Sequence, residues 1–224
     1  MSLVLGPIHH WMHKKIKVSE DREKAIVQGL KDKYGQDADS LLAEVYKKYP
    51  ESQHGGQALE EILADQPIHQ GIQGLIDGVE TREAATITAF CGKYGDEAKD
   101  VASKAAHQHG LSCGQKAAEE KGLGDGDKTP GKAFELLLDN YCDGMPCDRS
   151  AQVLDETEKN IVWDHICIHG KYWDTVNAPT KSLCDIIISW TAGFGEGISS
   201  SIKHTRRKCM AQGDQTCESS YEMG

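Results

Sequence analysis

Apolar residues recur at helical spacing through the first two-thirds of the chain and at strand spacing beyond it. Ser19 can cap a helix whose stripe of Ile26, Leu30 and Tyr34 ends at Gly35, and a second stripe of Leu41, Leu42, Val45, Tyr46 and Tyr49 stops at Pro50. The pair Gly55-Gly56 marks a loop before a short segment at 58–64, and after Pro67 come Ile68, Ile72, Leu75, Ile76 and Val79. Thr81 can cap a further helix in which Ala84, Ile87, Cys91 and Tyr94 share a face. Another is predicted from Asp96 to Gly110, and a shorter one over 112–120. Lys33-Tyr34-Gly35-Gln36-Asp37-Ala38 resembles Lys93-Tyr94-Gly95-Asp96-Glu97-Ala98, which either a duplicated helical hairpin or recurring helix-stop chemistry explains.

Residues 122–131 form a Gly/Asp/Lys/Pro linker, after which the pattern changes. A short helix at 133–141 leads into the turn Cys142-Asp143-Gly144-Met145-Pro146-Cys147. Residues 150–157 and 160–169 alternate as strands around Glu158-Lys159. An amphipathic helix over 181–203 follows, striped by Leu183, Ile187, Trp190, Phe194, Ile198 and Ile202. A hairpin through Gln212-Gly213-Asp214 closes the chain, with Gly213 at the left-handed position and Cys209 opposite Cys217. Their Cβ atoms would then stand about 4.5–5.5 Å apart. The expected class is α+β: a helical N-terminal half, then a small antiparallel sheet built as hairpin, helix, hairpin and packed against helices. Residues 1–79 read as a helical extension, able to serve as a lid, a surface for a second copy or extra core; residues 80–224 read as the functional domain.

A net charge of −10 with dispersed basic residues excludes a nucleic-acid partner. The longest apolar stretch, 186–194, is too short for a bilayer, and residues 1–16 lack the apolar centre of a cleavable signal. The expected setting is therefore cytoplasmic, where eight cysteines read as thiols, metal ligands or redox groups before a disulfide framework.

The strand at 160–169 concentrates the candidate chemistry. Alternation puts Val162, Ile166 and Ile168 on the side expected to meet the helices, and Trp163, His165, Cys167 and His169 on the other. Such a row either faces solvent or converges on a small ligand or metal, and an imidazole beside a thiol can make it a nucleophile. Cys184 near a helix start is either a small packing residue or a thiolate favoured by the helix dipole. The cluster Lys203-His204-Thr205-Arg206-Arg207-Lys208 is either a solvated strand or an anion-binding rim. His9 and His13, four apart, read as a solvated terminus; Cys142 and Cys147 can supply half a zinc site; Cys91 reads as core.

Together, Cys167-Ile168-His169-Gly170-Lys171-Tyr172-Trp173, Leu183-Cys184-Asp185, Gly193-Phe194 and the ending Lys208-Cys209-Met210-Ala211-Gln212-Gly213-Asp214-Gln215-Thr216-Cys217 resemble one C-terminal pattern. It is similar to the L-2-amino-thiazoline-4-carboxylic acid hydrolase family and to the related V4R small-molecule-binding domain, over the C-terminal two-thirds only. Here Glu218-Ser219-Ser220 stands where an aromatic commonly follows the last cysteine. The resemblance implies hydrolytic opening of a small cyclic C–N or C–S compound. On that reading Cys167 or Cys184 is nucleophile or ligand, His165 and His169 are the acid/base pair, and Asp164 or Asp185 orients an imidazole. Trp163 and Trp173 would flank the substrate, and Arg206 or Arg207 would hold its carboxylate. Cys209 and Cys217 would be metal ligands, for a divalent ion such as zinc. The alternative is a non-catalytic sensor in which the same side chains hold a ligand or metal; a third reading pairs Cys209 and Cys217 as a redox couple.

Overall fold

The computed structural model of the chain describes residues 5–64, 66–148 and 151–224, with Cys147 described by its backbone alone. Helices α1 (Pro7–Tyr34), α2 (Gln36–Lys48), α3 (Leu59–Ile62), α4 (Ile68–Tyr94), α5 (Asp96–Glu120) and α6 (Pro130–Asn140) precede the hairpin β1 (Ala151–Thr157) and β2 (Asn160–His165). Then come α7 (Gly170–Thr175), α8 (Thr180–Ile198), β3 (Ile202–Lys208) and β4 (Cys217–Met223). The strands form one antiparallel sheet in the order β1-β2-β4-β3. The expected α+β arrangement is what the chain adopts. No described helix is long and apolar enough to cross a membrane.

Three expected helix breaks are absent, each for a physical reason. Ser19 lies buried inside α1, which begins twelve residues earlier, so His9 and His13 sit in a helix and not on a frayed end. Thr81 lies inside α4, and the expected division at 79/80 falls mid-helix. In both helices charged residues occupy buried positions and interrupt the apolar stripe: Lys15, Arg22 and Glu23 in α1, and Glu80, Arg82 and Glu83 in α4. They pair with one another or with α6's exit loop. Arg22 donates Nε to Glu83 Oε2 at 2.9 Å and Nη2 to Glu83 Oε1 at 3.0 Å. Arg82 donates Nε and Nη2 to Glu23 at 2.7 and 2.6 Å, and Lys15 Nζ donates to Asp143 at 2.7 Å.

Gly110 likewise does not end α5. With Gly114 it faces Gly193 and Gly197 of α8, and a Cβ on any of the four would collide with a carbonyl oxygen of the other helix, those of Trp190, Phe194, His107 and Leu111 respectively. Glycine is required there because the two backbones touch. α8 carries the expected stripe of Leu183, Ile187, Trp190, Phe194 and Ile198, all buried, and it ends at Ile198, leaving Ile202 to open β3.

The sheet presents its other side to the helices from the one expected. Trp163 packs on Phe134 of α6 with ring centroids 4.7 Å apart; Val162, on the expected face, is buried as well, and Ile166, past the end of the strand, is 63 % exposed. A tryptophan ring removes more apolar surface from water than the aliphatic side chains competing for that face. Trp163 pairs with Ser219, and Ser219 with Arg206, so one row across the helix-facing side reads Trp163, Ser219, Arg206. The neighbouring row is Ile161, Tyr221, His204, and His165 pairs with Cys217. β2 stops at His165 because β4 begins opposite it, at Cys217. Cys167 and His169 therefore lie beyond the strand.

Candidate functional site

Leaving β2, the chain turns back under the helices. Cys167 N–H donates to Met210 Sδ at 3.2 Å, and His169 comes to rest buried at the start of α7. Its ring stacks on Trp173 with centroids 5.5 Å apart and planes at 13°. Glu80 of α4 accepts from His169 Nδ1 at 2.9 Å, and His169 Nε2 lies 2.7 Å from the Tyr141 hydroxyl. With Glu80 ionised the proton sits on Nδ1, so Nε2 accepts from the Tyr141 O–H. Burial alone would raise the Glu80 carboxyl; His169 and the Arg22 guanidinium, with Nη2 3.7 Å from Glu80 Oε1, outweigh it and hold the carboxyl below its usual range. Glu83 stays raised, since burial there exceeds the pull of its bidentate Arg22. Burial also pushes the Tyr141 hydroxyl well above its usual range, keeping it a proton donor.

Tyr141 borders a second region. A cavity of about 30 Å³ between α6, α8 and the sheet is lined by Tyr141, Trp163, His165, Thr191, Arg206 and Ser219, among others. That volume holds a water or two. Arg206 points inward while its neighbours point out: Arg207 pairs with Glu222 at 2.8 Å, Lys208 with Glu218 at 2.7 Å, and Lys203 with Glu196 at 3.3 Å. Inside, Arg206 Nε and Nη1 are enclosed and have no hydrogen-bond partner among the described residues; nor do Ser219 Oγ and His204 Nε2. His165 and His204 are both pushed down to about 3, by burial first and by the Arg206 charge second, so both imidazoles are neutral. Among the described residues nothing lies at hydrogen-bond distance from Nε or Nη1 of the half-buried Arg206, so its charge faces a cavity that Asp143 also lines.

Four of the cysteines, Cys167, Cys184, Cys209 and Cys217, gather at one end of the sheet, and no described cysteine side chain lines that cavity. Cys184 and Cys209 place their sulfurs 3.3 Å apart, both buried, and Cys167 and Cys217 lie close by. Gly213 is left-handed as expected, with φ 99°. The loop is nevertheless longer than a three-residue hairpin: the ladder ends at Lys208 and Glu218, and Met210–Gln212 forms a short 3₁₀ turn. Asp214 holds it by accepting from Cys209 N at 2.7 Å. Cys209 thus meets Cys184, while Cys217 Sγ accepts from Met210 N at 3.4 Å. Burial raises the thiols of Cys167, Cys184 and Cys217, so none of the three is a ready thiolate. Among the described residues no group of three or more His, Cys, Asp or Glu is gathered to hold a metal, so Cys209 and Cys217 do not fit the ion expected of them. Cys142 is buried, with its thiol pushed up to about 12, and the side chain of Cys147 lies outside the described residues.

Of the residues expected at the site, His165, Trp163 and Arg206 line the cavity, and His169 and Trp173 stand behind Tyr141. Asp185 is set apart, 3.9 Å from Lys181 on the same helix, and Arg207 is on the outer side. Among the described residues neither Asp164 nor Asp185 is hydrogen-bonded to an imidazole; Glu80 is. Glu80, Tyr141, Arg22 and Ser219 were not singled out from the sequence. The available signal was a glutamate at 80 and another at 83, both on the apolar face of a helix.

No protein family, no characterised protein and no solved structure matches the chain.

Proposed function

We propose that the protein is a hydrolase opening a small cyclic C–N or C–S compound that carries a carboxylate, of the thiazoline or cyclic-amidine class. The observation that carries this reading is the Arg206 guanidinium, with enclosed Nε and Nη1 that have no partner among the described residues, beside a Tyr141 hydroxyl hydrogen-bonded to His169 and through it to Glu80. Arg206 takes the substrate carboxylate through a charge-assisted N–H bond from its guanidinium. Water attacks the amidine-like ring carbon and passes a proton to the Tyr141 oxygen as Tyr141 hands its own to His169 Nε2. Glu80 stabilises the resulting imidazolium through Nδ1–H. The same proton returns to the departing ring nitrogen or sulfur. The thiols take no part, in keeping with their raised proton affinity. A five-membered ring exceeds the cavity, so binding requires the sheet to part from α6.

The experiment is a panel of thiazoline and cyclic-amidine carboxylates incubated with the protein and followed by mass for uptake of one water. Turnover, a roughly 10²-fold or greater loss in Tyr141→Phe, and a raised KM in Arg206→Met are expected. No turnover across the panel, or full activity in Tyr141→Phe, would overturn it. The smallness of the cavity favours a second reading, a sensor that binds a small carboxylate without turnover; calorimetry showing Arg206-dependent binding with no product would select it.

A further inference from the structure

The cysteine cluster has no role in that chemistry, yet it contains a sulfur pair at 3.3 Å within the core. Cys184 lies in the first two turns of α8, and Cys209 follows the last residue of β3. A disulfide needs about 2.05 Å between sulfurs, so the two need only close by little more than an ångström. Cys209 is outside both the ladder and the 3₁₀ turn that follows, but Asp214 holds its N–H at 2.7 Å, so the gap closes by side-chain rotation and not by movement of the main chain. Cys217 competes less well, because its sulfur already accepts from Met210 N.

We infer that Cys184 and Cys209 are a modification site: a reversible disulfide, formed by hydrogen peroxide, that latches α8 to the end of β3. One sulfur attacks the peroxide O–O bond and becomes a sulfenic acid as water leaves. The second thiol displaces that hydroxyl as a second water, and the S–S bond forms. Two electrons pass to the peroxide, and a dithiol reductant restores them. The small oxidant suits a pair of which Cys184, at 8 % exposure, is the more accessible member. The latch would stiffen two neighbours. Arg206 lies three residues before Cys209, and Met210, immediately after it, holds the Cys167 N–H two residues before His169.

The test treats the reduced full-length protein with hydrogen peroxide, counts thiols, and maps peptides by mass. The expected result is coupled loss of two thiols, a linked pair of peptides carrying Cys184 and Cys209 and lighter by two hydrogens, and full recovery with dithiothreitol. Amide exchange in β3 should slow on oxidation, a readout that does not depend on any hydrolase activity. Cys184→Ser should abolish the coupled loss and Cys217→Ser should retain it. Peptide mapping of the unsubstituted chain decides the matter should Cys184→Ser not fold. Linkage through other cysteines, conversion of single thiols to sulfinic acid without a cross-link, or thiols that become titratable only after a chelator is added would each overturn the inference.

Discussion

Replacing Arg22 by methionine tests the energetic reading of the helical half most sharply. Arg22 is 1 % exposed and makes two hydrogen bonds to Glu83, at 2.9 and 3.0 Å. Methionine fills similar space but leaves the Glu83 carboxylate buried without a cation. Breaking a buried pair from one side costs about 3–5 kcal/mol, which for a chain of this size lowers Tm by roughly 10 °C. The cost should depend on pH. Burial already raises the Glu83 carboxyl in the presence of Arg22, and without that charge it rises further. A carboxyl whose folded-state pKa exceeds its unfolded value binds protons more tightly when folded, so stability falls as pH climbs from the unfolded value of about 4.3 towards the folded one. Urea unfolding followed by circular dichroism should therefore show a larger loss at pH 8 than at pH 5. The double variant Arg22→Met/Glu83→Leu, which removes both charges, should regain most of the loss. A loss below about 1 kcal/mol, or one equal at both pH values, would refute the claim that this pair is desolvated.

Arg206→Met should leave stability unchanged or raise it by about 1 kcal/mol, since it removes a half-buried charge whose enclosed Nε and Nη1 have no partner among the described residues; clear destabilisation in the same urea assay would mean that Arg206 has a structural partner. Gly193→Ala should cost at least about 1–3 kcal/mol through overpacking at the α5–α8 crossing, whereas Gly92→Ala, on the same scale, should be tolerated, because nothing lies near its Cβ position. His165 and His204, held at about 3 when folded, should make stability rise with pH between about 3 and 6.5, by at most about 1.4 kcal/mol per pH unit for each ring. The unfolded chain binds the extra protons across that window, so His204→Phe should flatten the slope, and an unaltered slope would count against neutral buried imidazoles.

Much of the fold was legible because most elements bury uniformly apolar stripes. The helix class of the first half, the hairpin at Glu158-Lys159, the stripe of α8 and the left-handed Gly213 all follow from spacing and turn chemistry. Legibility failed where buried polar groups or backbone contact replaced apolar packing. Lys15, Arg22, Glu23, Glu80 and Glu83 look like surface residues until their distant partners are known, and those partners are separated by as many as 128 residues. Gly110 looks like a stop until another backbone is seen against it. The site was half legible for the same reason. Alternation grouped Trp163 with His165 correctly but could not tell which side of the sheet meets the helices. Nor could it show that the strand ends at His165, sending His169 to a glutamate on α4. Fold and candidate chemistry are thus obscured at the same positions, as expected where local pattern yields to a shared polar network.

The four-glycine crossing of α5 and α8 also constrains how this chain can vary. A single residue inserted into the middle of either helix would turn everything beyond it by about 100°, swinging side chains into the path of the opposing main chain. Length changes should therefore be confined to the ends of these two helices and to the surface loops. Anyone grafting the sheet and its pocket onto another scaffold would have to carry both helices along as one indivisible piece.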